Sequence, residues 1–117
     1  MKPYLAVLVR NSNGNTLPLI EKELTRYVYQ NCKKVKKVVL KREKDWGSLV
    51  SKLPQNFHFL NIETSCGTPY SFCRFRSTKN GYEFLFNLAD SLQRKGKIEE
   101  FLTKRLKFEI IRLELSE

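Results

Sequence analysis

The segment Lys33–Lys44, KKVKKVVLKREK, decides how the rest of the chain is read. Seven of its twelve residues are Lys or Arg and one is Glu43, so it carries +6 of a formal +10. Val35, Val38, Val39 and Leu40 are threaded between these charges. β-Branched residues at such density favour an extended strand, over about 35–42, that holds its cations on a fixed surface.

Working backwards, Leu17, Ile20, Leu24, Tyr27 and Val28 recur at helical spacing, and Thr16 and Pro18 suit a helix start. A helix over 17–31 follows, preceded by the turn-forming loop Asn11-Ser-Asn-Gly-Asn15. The run Tyr4–Arg10 before it is apolar on both parities, the pattern of a strand buried on both faces. Strand, helix and basic strand in this order predict a crossover between parallel strands. No nucleotide-binding glycine pattern occupies the loop.

Working forwards, Asp45 can cap a short helix carrying Trp46, Leu49, Val50 and Leu53, which Pro54 ends. Phe57–Ile62 is a further interior strand. From Tyr70, residues Phe72, Arg74 and Arg76 alternate with Ser71, Cys73 and Phe75, a period of two. Two readings compete next. Asn80-Gly81 between β-prone runs marks a hairpin, whereas Asn80-x-x-Glu83 forms a capping box before residues at helical spacing. Three aromatics in Tyr82–Phe86 favour the hairpin, with a helix from near Ala89 to Leu106 and a last strand, at an edge, over 108–115.

At 117 residues the chain suits one domain, residues 1–117. The 41% apolar share excludes a disordered chain. Charge is polarised, with 12 basic and 4 acidic residues in 1–60 against 10 and 8 in 61–117. Such a balance points to a polyanion, nucleic acid before an anionic membrane surface. No segment is long enough to span a membrane, and the mature chain is expected to begin at Met1. Cys32, Cys66 and Cys73 form no C-x-x-C, and His58 is the one histidine. A reducing, intracellular compartment is expected, with no metal site and no cofactor.

The residues expected to bind nucleic acid are Lys33, Lys34, Lys36, Lys37, Lys41, Arg42 and Lys44, because Lys and Arg on a strand release counterions from a phosphate backbone. The competing use of such lysines is protection of a sheet edge. Arg74 and Arg76, sharing parity with Tyr70 and Phe72, form a weaker stacking candidate for single-stranded RNA. The chain is not expected to be an enzyme. Asp45, Glu63 and Asp90 lack the company a metal-dependent nuclease needs, His58 sits in an apolar strand, and no thiol has a partner base.

RNSNGNTLPLIEKELTRYV followed by VKKVVLKRE resembles a cysteine-less thioredoxin-like family that includes small mitochondrial ribosomal proteins and an accessory subunit of respiratory complex I. Ser12, Gly14, Glu21 and Lys22 stand at matching places. Thr68-Pro69 with Arg74 and Phe75, then Asn80-Gly81, resembles the family's Pro-led hairpin. The resemblance implies a single α/β domain with a mixed sheet in thioredoxin-like βαβ…ββα order, no redox activity, contacts to ribosomal RNA and neighbouring proteins, and the mitochondrial matrix; otherwise a cytoplasmic site is expected. Lys44–Gly67 and the last strand depart from the family, which keeps a ferredoxin-like βαββαβ sheet as the alternative. The expected function is therefore a non-catalytic, basic RNA-binding structural protein of a ribosome or other ribonucleoprotein. The alternatives are a small metal-dependent nuclease, an accessory subunit of a multiprotein complex, and a viral or archaeal DNA-binding protein.

Overall fold

The computed structural model describes residues 4–31, 34–44, 56–64, 70–88 and 95–116. The first apolar run forms β1 (Tyr4–Arg10), and the amphipathic stretch after the loop forms α1 (Leu17–Asn31). The basic segment forms β2 (Val35–Lys44), followed by β3 (Asn56–Thr64), β4 (Tyr70–Ser77) and β5 (Gly81–Asn87). A short helix α2 (Lys95–Glu100) widens into a π turn over Phe101–Arg105, and β6 (Glu109–Ser116) ends the described chain. The helix expected after Asp45, the turn at Cys66–Pro69 and the stretch 89–94 lie outside the described residues.

The six strands make one sheet in the order β2-β3-β4-β5-β1-β6. The expected mixed sheet is corrected here. Every described pairing is antiparallel, and the crossover from β1 to β2 joins strands of one direction that are not neighbours. The reason is where α1 delivers the chain. β2 starts at the far edge, and β3, β4 and β5 return from it as an antiparallel meander until β5 meets β1. β1 and β2 do run in the same direction, but with three strands between them.

β1 is also buried on one face only. Leu5, Val7 and Val9 are inaccessible, while Tyr4, Ala6 and Leu8 are half-exposed. Both helices lie on the same side of the sheet: Ile20, Leu24, Tyr27 and Val28 of α1 share a core with Ile98, Phe101 and Leu102. Tyr27 ties the two layers together, with its ring 4.8 Å from that of Phe101 and 6.0 Å from that of Phe72. Burying this apolar side against the strands is the main source of stability in such a two-layer domain.

The hairpin reading of Asn80-Gly81 is the one that forms. Thr78 N–H donates to the Gly81 carbonyl at 2.9 Å, and Gly81 N–H donates to the Thr78 hydroxyl at 3.1 Å. The resulting alternation places Tyr82, Phe84 and Phe86 in the core. Gly96 lies in the first turn of the described α2.

The Asn11–Asn15 loop is an internal clamp. Asn11 and Asn15 bond each other twice at 2.9 Å, while Asn13 donates to the Lys107 carbonyl at 2.9 Å and Asn15 donates to the Leu106 carbonyl. These amides satisfy carbonyls left open where the π turn ends, a need every helix terminus has.

Candidate nucleic-acid interface

Among the described residues both helices pack on one side of the sheet and none packs on the other, referred to below as the open face. Register sets what that face displays. Lys41 lies opposite Phe59, Phe59 lies opposite Arg74, and Arg74 lies opposite Leu85. One row of the sheet therefore brings two candidate residues, Lys41 and Arg74, to register positions on either side of Phe59. The Arg74 guanidinium sits 5.3 Å from the centroid of the half-buried Phe59 ring, a cation–π contact that orients a cation otherwise exposed to solvent.

Arg76, two residues along β4, is mostly covered and pairs with Glu83 at 3.1 Å. Lys34, Lys36 and Lys37 are exposed at the start of β2, with Lys36 at 3.7 Å from Glu63 and Lys37 in register with that same residue. Lys33 lies outside the described residues. Lys41, Arg42 and Lys44 belong to β2 by their backbone, and their side chains lie outside the described part. Towards the other edge the charges cancel locally, Arg10 with Glu109 at 3.3 Å and Arg112 with Glu114 at 2.5 Å. The β2–β4 half is thus the cationic half of the face.

The expected partnership of Arg74 and Arg76 with Phe72 is corrected, and the side chain of Tyr70 lies outside the described part. A register shift between Leu60 and Asn61 leaves Phe72 as an extra residue, and the strand turns it inwards. Phe72 is buried against Tyr27 and Phe86, the latter at 5.7 Å. The aromatic beside Arg74 is instead Phe59, which sequence reasoning misses. Its parity partners Asn61 and Glu63 are polar, and that alternation is the signal that could have found it.

The residues considered for catalysis are placed as follows. Glu63 faces Lys36, and Asp45 and Asp90 lie outside the described residues. His58 is buried and stacked on Phe75 at 5.1 Å. Cys73 is buried, and burial pushes its thiol well above the usual range, so it holds its proton at neutral pH. Among the described residues, no three His, Cys, Asp or Glu side chains converge as a metal would need. No described helix is long and apolar enough to cross a membrane.

The helical side carries a second polar feature, a groove of about 530 Å³ between α1, α2 and the π turn, lined by Glu23, Arg26, Lys97, Glu100, Lys104 and Arg105 among others. Its floor is the buried carboxylate of Glu23, which accepts from Arg105 Nε at 2.9 Å and from Arg26 at 3.4 Å. The Arg105 hydrogen bond, with the nearby positive charges, holds Glu23 below its ordinary value of 4.5 against the opposing effect of burial. A carboxyl lowered in the folded state stabilises the fold above its unfolded value, and that contribution is lost as pH falls through the folded one. Glu23→Gln is expected to cost about 1.5 kcal/mol at neutral pH, at the low end for a charged hydrogen bond because both arginines are partly solvated. Thermal unfolding across an acid pH series checks this: the gap between parent and variant should close on acidification, and a pH-independent gap would contradict it.

Comparison with protein-family models, curated proteins and solved structures finds no match to this chain.

Proposed function

We propose that this chain is a non-catalytic, basic RNA-binding structural protein, a component of a ribosome or other ribonucleoprotein, which contacts RNA through the open sheet face and β2. The observation that carries the reading is the Arg74 guanidinium set over Phe59, with Lys41 at the next register position, Lys36 and Lys37 exposed on the same edge strand and Lys34 exposed just before it. An aromatic with a cation beside it offers an unpaired base a surface to stack on. Lysines spaced along a strand neutralise successive phosphates. This division of labour suits single-stranded RNA and needs no proton transfer. The compartment that accompanies the reading is reducing, and is the mitochondrial matrix if the thioredoxin-like resemblance holds. For the finer topology we favour a split βαβ arrangement, because β1 and β2 share a direction with three antiparallel strands between them.

Filter binding of a single-stranded oligoribonucleotide over a salt series tests the function. Affinity should fall as salt rises. Lys34→Ala, Lys36→Ala and Lys37→Ala combined should flatten the log–log slope by about 2, at roughly 0.7 for each phosphate no longer neutralised. Phe59→Ala should instead lower affinity by about 1–3 kcal/mol with its slope unchanged, since stacking releases no counterions. Salt-independent binding, or variants that bind like the parent, would remove the proposal.

A further inference from the structure

The two edges of the sheet differ in chemistry. β2 carries Lys36, Lys37, Lys41 and Lys44, and lysines on an edge discourage another strand from pairing there. β6 has neither lysine nor proline, and among the described residues it has a neighbour on one side only. It exposes Ile111 by 48% and Leu115 by 55%, two of the four large apolar side chains so exposed among the described residues. Leu113 between them is partly covered. An apolar edge with open N–H and C=O groups is a template for strand addition.

We infer that β6 is a homodimer edge, at which β6 of a second copy adds antiparallel and joins two sheets into one. The sequence of the strand selects both the partner and the register. With Leu113 opposite its own counterpart, Arg112 meets Glu114 of the second copy, all within the stretch that keeps a regular register beside β1. Ile111 is the extra residue of a bulge between Ile110 and Arg112 and lies just outside that stretch. The two Leu113 side chains then face each other on one side of the sheet, and opposite charges face each other on the other side. Such a contact is self-complementary about a two-fold axis, as an isologous interface requires. The neighbouring registers that keep each face intact centre the axis on Arg112 or on Glu114. Either one sets like charges directly opposite, which destabilises an antiparallel pair. The existing ion pair between Arg112 and Glu114, at 2.5 Å, already holds both side chains together beside the edge. In the dimer the four charges alternate across the seam. The two-fold axis runs through the sheet, so both open faces lie on one side and the two β2 edges lie at opposite ends. The inference does not depend on RNA binding.

Sedimentation equilibrium of the full chain over a micromolar concentration series tests it, with circular dichroism to establish that each variant is folded. The parent should dimerise. Arg112→Glu and Glu114→Arg should each weaken dimerisation at least about tenfold, because each sets like charges across the seam. The double variant R112E/E114R should restore it, because the swap re-creates opposite pairs in the same register. A parent that stays monomeric throughout the series would overturn the inference. So would a dimer indifferent to either single substitution, or a double variant no tighter than the single ones.

Discussion

Phe84→Ala is expected to lower the stability of the fold by about 3–5 kcal/mol, the range for truncating a buried aromatic. Phe84 is fully inaccessible, and its ring lies 5.4 Å from Phe75, 5.7 Å from Phe86, 5.9 Å from Phe108 and 6.1 Å from Tyr82. It therefore joins β4, β5 and the start of β6 at one point. Removing it deprives four rings of a neighbour and leaves a cavity that strands on either side cannot collapse to fill. Against the 5–15 kcal/mol typical of a whole domain, the loss is a large fraction of the total. The melting temperature should fall by roughly 15 °C, at about 4 °C per kcal/mol for a chain of this length. Phe84→Leu keeps most of the volume and should cost under about half as much. Thermal melts of both variants check the pair, and a near-neutral alanine would show that β5 presents its other parity to the core.

Gly81→Ala is expected to cost about 3 kcal/mol, at the upper end for steric overfilling, although only one methyl group is added. Gly81 lies opposite Arg10 where β5 begins, and a Cβ there would come 2.1 Å from the Val9 carbonyl oxygen and 2.9 Å from the Asn11 nitrogen. Both are backbone atoms, so no flexible side chain can move aside. Relief requires β5 to shift away from β1. That movement strains the 3.0 Å bond from Asn11 N–H to the Asn80 carbonyl and the clamp that Asn11 and Asn15 build beside it. Gly96, in contrast, has open space around it, so Gly96→Ala should be neutral or slightly stabilising in its helix. Parallel denaturant titrations of the two alanine variants separate these cases. Equal effects at both positions would mean that the close approach of the hairpin to β1 is wrong.

Local chemistry was the legible part of this chain. The helical spacing of Ile20, Leu24, Tyr27 and Val28 located α1, and the turn propensity of Asn80-Gly81 outweighed the capping box that shares its residues. The basic strand expected over about 35–42, which extends to Lys44, and the edge position of β6 were legible for the same reason, since both follow from the pattern within one segment. Long-range pairing was not. Nothing between Tyr4 and Lys44 states that α1 carries the chain past three strands, because the residues that fill the gap come later. The bulge beside Phe72 is likewise invisible to a period-two count, which assumes that each strand keeps its parity. That single extra residue moved one aromatic from the arginine face into the core. Phe59 is hard to place because Phe57 to Leu60 is apolar on both parities, and its outward parity is marked only further along the strand, by Asn61 and Glu63.

The proposed RNA path runs over the open sheet face and the basic edge, with Phe59 and Arg74 at its middle. Photo-crosslinking of a 4-thiouridine-substituted single-stranded RNA, followed by mass mapping of the attached peptides, tests that placement most directly. Crosslinks are expected on the peptides carrying Lys34–Lys37, Phe59 and Arg74, and should disappear at high salt. Crosslinks confined to the helical side, on the peptides carrying Arg26, Lys97 and Lys104, would contradict it.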